Sequence, residues 1–201
     1  GSFAKVNGVQ IFYEVTGEGT PIVWCHEAAG DYRSWDPQVS FFSRFFKNIT
    51  WNFRGFPPSS VPEDSSAYSE EQAVADLYEL LRWLDVKRAH IIGLASGAAI
   101  ALRYALTHPE TCFSMVLGAC GVGSTNPEKR QEQINQTVEM LRGGSMAPLV
   151  EFQTRRPGRL QFLRKDPQGW QLFHDRYLMQ SPLGSSMTAQ YVAGKRPTVF
   201  S

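Results

Sequence analysis

Gly93, Ala95 and Gly97 are spaced two residues apart, between a β-branched run, Ile91-Ile92, and an Ala-rich stretch reaching Tyr104. This is the spacing of a strained strand-to-helix turn that lifts one nucleophilic side chain above a sheet. The raised position here holds Ala95, which carries no nucleophile. Alanine meets a steric penalty at positive φ, where glycine or asparagine sits more easily. Ala95 therefore reads as a serine without its hydroxyl. Ser96, one residue on, opens the helix with its side chain directed away from the apex, which suits a capping role.

Other reactive residues are scattered. Trp24-Cys25-His26-Glu27-Ala28-Ala29-Gly30 forms a loop after an apolar run, and Asp31 and Arg54 also follow strand-like segments. A structural ion pair is the expectation for Asp31 and Arg54. Of the four histidines, His26 precedes the turn and is expected to make a structural hydrogen bond. His90 opens a strand, His108 closes a helix, and His174 lies far downstream as a surface or cleft residue. No Cys/His cluster has metal-ligand spacing, and no glycine-rich loop fits a dinucleotide or phosphate cradle.

The elements that would position these residues alternate. Residues 3–16 alternate in strand fashion around a two-residue Asn7-Gly8 turn. Strands are expected at 21–25, 48–52, 89–94 and 112–117. Helical spacing covers 32–46, through Trp35, Val39, Phe42 and Phe46. A second helix follows Ser69, whose Ser69-x-x-Gln72 pattern is a capping-box variant, and a third runs from 96 to 107. Strands alternating with helices predict a mostly parallel α/β sheet entered by an antiparallel hairpin. Beyond Gly121 no strand-like run appears. Helical segments are expected at 126–141, 147–154, 167–179 and 183–192.

The 201 residues are 42% hydrophobic and 19% charged, with a net charge of +1. No long-range field favours nucleic acid or an anionic membrane, and Arg155-Arg156 and Arg164-Lys165 are too short to form a basic patch. Three cysteines, an odd number, point to a reducing compartment, and the expectation is a cytoplasmic protein. No apolar run is long enough to span a bilayer, and no secretory signal is recognisable. Gly1-Ser2 looks like the remnant of a cleaved tag, which would make a deliberate Ser→Ala change at position 95 plausible.

The order of features over residues 3–125 resembles the α/β-hydrolase superfamily, and the helical region after it resembles that family's cap. The blocks HEAAGDYRSWDPQ and NFRGFPPSSVP look like a bacterial group of ester- or lactone-hydrolase type. The resemblance implies a core over 3–125, a cap over 126–194 and a return to the core at 195–201. It makes Ala95 the nucleophile position, with the backbone amides of Ala28 and Ser96 as the oxyanion hole. Glu27 stands where the family's His-Gly-x-x-Gly loop has its first glycine. Glu27, Trp170 and Phe173 become candidate substrate contacts. The cap aromatics Phe152, Phe162, Trp170, Phe173 and Tyr177 are either an acyl pocket or the cap's own core.

The family's acid and histidine follow later strands, in the order Ser, Asp/Glu, His. The sequence stops at Ser201 before either, and residues 118–121 offer no carboxylate. The expectation is a sheet truncated before its last two strands. Its apolar edge would then be completed by a second chain, a swapped dimer or an unseen remainder. The function implied is serine-type hydrolysis of a small acyl compound without a cofactor, silent in this chain. The alternatives are a non-catalytic small-molecule-binding protein and a cofactor-free lyase or oxygenase.

Overall fold

The computed structural model describes residues 1–121 and 126–196. The chain opens on β1 (Ser2–Val6) and β2 (Val9–Thr16), an antiparallel pair in the register Val6↔Val9 to Ser2↔Tyr13. Asn7 at φ 48° and Gly8 at φ 75° supply the two left-handed residues of the connecting turn. Ser2 is part of β1, and the Gly1 ammonium lies 3.4 Å from the Glu14 carboxylate.

Next come β3 (Thr20–Cys25), α1 (Asp36–Phe42), β4 (Phe46–Trp51), α2 (Glu70–Trp83), β5 (Ala89–Leu94), α3 (Ser96–Thr107) and β6 (Cys112–Gly118). The sheet order is β1-β2-β4-β3-β5-β6, with β2–β4 antiparallel and β4, β3, β5 and β6 mutually parallel. This is the mixed α/β sheet the alternating pattern predicts. Successive β3 side chains point to opposite faces. Val23 and Cys25 join Ile49, Trp51 and Ile91 beneath Leu77, Leu80 and Leu81 of α2 and Ile100 of α3. On the other face Trp24 tilts against Trp35 at 4.9 Å and Phe42 at 5.9 Å. Burial pushes the Cys25 thiol up to about 12, so it behaves as a core hydrophobe.

Ser69 caps α2 as its spacing predicts, its hydroxyl accepting from Gln72 N–H at 2.9 Å. The expected single helix over 32–46 is replaced by a 3₁₀ turn (Tyr32–Trp35), the short α1 and a turn. Asp31 starts the 3₁₀ segment through a capping box with Ser34, and Phe46 is drawn into β4 opposite Thr20. Here sheet pairing overrides a helical hydrophobic period.

The helical layer after β6, labelled the cap from here on, comprises α4 (Pro127–Leu141), α5 (Ala147–Thr154), α6 (Pro157–Lys165), α7 (Pro167–Leu178), α8 (Pro182–Met187) and a π-helical turn (Thr188–Ala193). Helix α6 lacks a clear apolar period and escapes the sequence reading; Pro157 at its first turn starts it. The expected boundary at 125/126 and most of the return over 195–201 lie outside the described residues. No helix among the described residues is long and apolar enough to cross a membrane.

Candidate active site

The β5–α3 turn is built by close approach. A Cβ on Gly93 would fall 2.3 Å from the Gly97 carbonyl oxygen, and one on Gly97 would fall 2.2 Å from the Cys25 oxygen. Only bare backbone lets β3, β5 and α3 converge there. Between these glycines Ala95 adopts φ 51° and ψ −113°, and its N–H donates to the Gly118 carbonyl at 2.8 Å. A non-glycine residue in this region stores strain of about 1–3 kcal/mol, and such strain collects at functional sites. The cap position of α3 is Ala95 itself, with no side-chain capping bond. Ser96 therefore does not cap the helix, contrary to expectation. The donors of its first turn face the space above the turn, at the positive end of the helix dipole.

The adjacent strand, β3, delivers the second loop. His26 is fully buried, stacked on Phe53 at 4.1 Å and edge-on to Phe56 at 4.8 Å. Its Nε2 accepts from Phe53 N–H at 3.3 Å, so Nδ1 carries the proton and donates to the Glu27 carbonyl at 2.8 Å. His26 is a structural spacer, as expected. The Glu27 carboxylate folds back into its own loop: Oε1 accepts from Ser34 Oγ at 3.0 Å, and Oε2 is enclosed without a partner. The turn closes with Gly30 N–H donating to Glu27 O at 3.1 Å, which leaves Ala28 exposed at its tip. Among the described residues, neither the Ala28 nor the Ser96 backbone N–H has a protein acceptor.

Asp31 and Arg54 do not pair with each other. Arg33 clamps Asp31 through Nε at 3.0 Å and Nη2 at 2.5 Å. Burial pushes the Asp31 carboxyl up, but the Arg33 bonds and charge outweigh it and hold the group below its ordinary value. Arg54 makes a buried bidentate pair with Asp76, at 2.7 and 2.8 Å. Both pairs brace the loops, each guanidinium fork matching its carboxylate.

Between these loops and the cap lies a cleft of about 390 Å³. Ala28, Phe56 and Ser96 line it from the core. Helix α4 contributes Arg130, Gln133, Ile134, Thr137 and Met140, and the rest of the cap adds Leu149, Phe152, Arg156, Tyr177 and Thr188. Of the cap aromatics, Phe152 and Tyr177 line the cleft. Phe173 packs beside a cap cluster of Leu141, Met146, Leu149, Val150 and Tyr177, with Arg159 over its ring at 4.3 Å. Trp170 stacks on His174 at 4.9 Å. Trp170, Phe173 and Glu27 do not line the cleft, because α7 and the loop turn them into their own layers. Sequence reading missed Arg130, Gln133 and Thr137, although their i, i+3, i+7 spacing marks one face of α4.

Burial raises the Tyr177 hydroxyl to about 12, against the charges of Arg159 and Arg156, so it presents a neutral O–H to the cleft. Among the described residues no group of three or more His, Cys, Asp or Glu side chains is arranged to hold a metal ion.

The arrangement of a strained turn, a facing loop and a helical cap defines a class. The family model described as alpha/beta hydrolase fold matches residues 20–155, and the chain belongs to that family. It is 29% identical over 112 residues to an uncharacterized hydrolase, YraK, of Bacillus subtilis (strain 168). That match takes in 56% of this chain and 41% of the relative, so the chain spans less than half of that protein's length. A thermophilic esterase from Thermogutta terrifontis superposes with TM-score 0.88 at 21% identity, over 98% of this chain and 74% of the other. The enol-lactonase of Burkholderia xenovorans LB400 gives TM-score 0.84 at 22% identity, over 94% and 72%. Both likenesses are of fold.

Proposed function

We propose that this chain carries the nucleophile turn, oxyanion loop and cap of a serine-type hydrolase acting on an ester or lactone. We propose further that it binds its acyl substrate without turning it over. The observation that carries the reading is Ala95. It holds a strained positive-φ geometry next to Ser96, which with Ala28 lines the cleft, and among the described residues the backbone N–H groups of Ala28 and Ser96 have no protein acceptor. A turn with no chemistry to perform would be relieved by glycine.

In the parent reaction a serine hydroxyl at position 95 attacks the acyl carbonyl. Its proton passes to a histidine from later in the protein, and the oxyanion is held by the amides of Ala28 and Ser96. Collapse expels the alcohol and leaves an acyl-enzyme that water cleaves. Alanine removes the attacking atom and leaves the binding cleft. The relatives named hydrolase, esterase and enol-lactonase support the acyl chemistry by likeness, and the protein is read as cytoplasmic and cofactor-free.

The test is Ala95→Ser in the full-length protein, assayed with p-nitrophenyl acetate. Restored release of p-nitrophenol with an acyl-enzyme burst is expected. A serine form that binds ester yet releases no alcohol overturns the hydrolase reading. It would favour a non-catalytic binding protein, which the cleft lined by Ala28 and Ser96 also fits.

A further inference from the structure

The cleft's charge is one-sided. Arg130 and Arg156 line it, and among the described residues no aspartate or glutamate does. Arg156 lies over the Phe152 ring at 5.5 Å, and Arg130 donates through Nη2 to the Ala193 carbonyl and, at 3.4 Å, to that of Arg196. Among the described residues neither guanidinium has a carboxylate within ion-pair distance. The nearby Glu151 is engaged by Arg155.

Behind Arg130 the imbalance deepens. Glu70, only 3% exposed, receives Arg103 Nε at 3.0 Å on one oxygen and Arg196 Nε at 2.5 Å on the other. Among the described residues two guanidiniums thus share one carboxylate, and Arg130, which feels Glu70 only through space, adds a third positive charge. Arg196 also keeps an enclosed Nη2 with no hydrogen-bond partner. Burial, and then the charge of Arg196, hold the Arg130 guanidinium below its ordinary value, with Glu70 opposing them. A half-buried cation disfavoured by its surroundings gains most from an anion that shares its desolvated site.

From this geometry we infer that the cleft selects acyl compounds bearing a second, ionised carboxylate, such as a dicarboxylic acid monoester or a carboxylate-substituted lactone. Arg130 is the partner of that carboxylate, and Arg156 attracts it at the rim. Ile134, Met140, Leu149 and Phe152 take the carbon chain between the carboxylate and the reacting carbonyl. This rests on the reading of the cleft as an ester or lactone site.

The experiment is calorimetric titration of the protein as it stands, in low salt, with monomethyl adipate and with uncharged dimethyl adipate. The monoester is expected to bind at least about tenfold more tightly, the scale of one charge-assisted bond. The preference is expected to fall with added NaCl, to vanish in Arg130→Gln and to survive in Arg130→Lys, which keeps the charge. Circular dichroism of each variant verifies folding, and Arg156→Gln is expected to weaken the monoester alone. Equal binding of the two esters, or a preference that persists in Arg130→Gln, overturns the charge selection and leaves the ester site standing. Binding of neither ester overturns both.

Discussion

The Gln180 side-chain amide donates to the Gly30 carbonyl oxygen across 2.8 Å, and this buried bond ties the turn between α7 and α8 to the loop that carries Ala28. Arg176 adds a weaker tie, 3.5 Å from Asp36. Replacing Gln180 by leucine leaves the Gly30 carbonyl enclosed and unpaired, at about 1–3 kcal/mol. Denaturant unfolding is expected to show that loss. Ester affinity is expected to drop several-fold as the Ala28 amide loses its fixed position, whereas Gln180→Glu, with its acceptor oxygens, would repel the carbonyl as well.

Ala95 stores strain that glycine would not. Ala95→Gly is expected to raise stability by about 1 kcal/mol, because relief of the positive φ exceeds the added unfolded-state entropy. Chemical denaturation of the two forms checks this. A destabilised glycine variant would mean that the turn is at ease with alanine.

His26 makes stability depend on pH. Its burial lowers the imidazole pKa below 6.5, while the Glu27 carbonyl bond and the Glu27 and Asp31 carboxylates pull the other way without prevailing. The unfolded chain therefore takes up the proton first. The contribution is full above the unfolded pKa near 6.5 and is lost as pH falls from there towards the folded value. The melting temperature is expected to decline between pH 7 and pH 5, and His26→Asn to flatten that slope. Asp31, also depressed, loses its contribution in a separate window, below its ordinary value of 3.8.

Among the described residues β6 lies at the edge of the sheet, with Phe113, Met115 and Val116 exposed at 46%, 43% and 57%. An apolar terminal strand with unpaired backbone groups is a template for another strand. The protein alone is expected to self-associate in size-exclusion chromatography with light scattering, and Val116→Lys to reduce it. A monodisperse monomer would refute the edge pairing.

Much of this structure could be read from residue order. Asn7-Gly8, the Ser69 cap and the Gly93–Gly97 spacing are local devices whose chemistry acts within a few residues, and each stands where its pattern puts it. What escaped depends on distant partners. Phe46 fits a helix until Thr20 claims it for the sheet. Helix α4 is polar enough that only the packed cap reveals Arg130 and Thr137 on the cleft side. Asp31 and Arg54 look complementary in sequence, yet Asp31 pairs with Arg33 and Arg54 with Asp76.

The sheet order also governs how the protein comes together. Ala28 and Ser96 are separated along the chain by β4 and α2, yet they follow β3 and β5, which are neighbours in register from Ile22↔His90 to Cys25↔Gly93. Neither half of the proposed oxyanion pair has a meaning until those two parallel strands pair. Pairing of this kind is slow because chain entropy is lost before contacts reward it. The cleft therefore depends on long-range strand pairing that local structure cannot supply, and it exists only once β3 and β5 lie side by side.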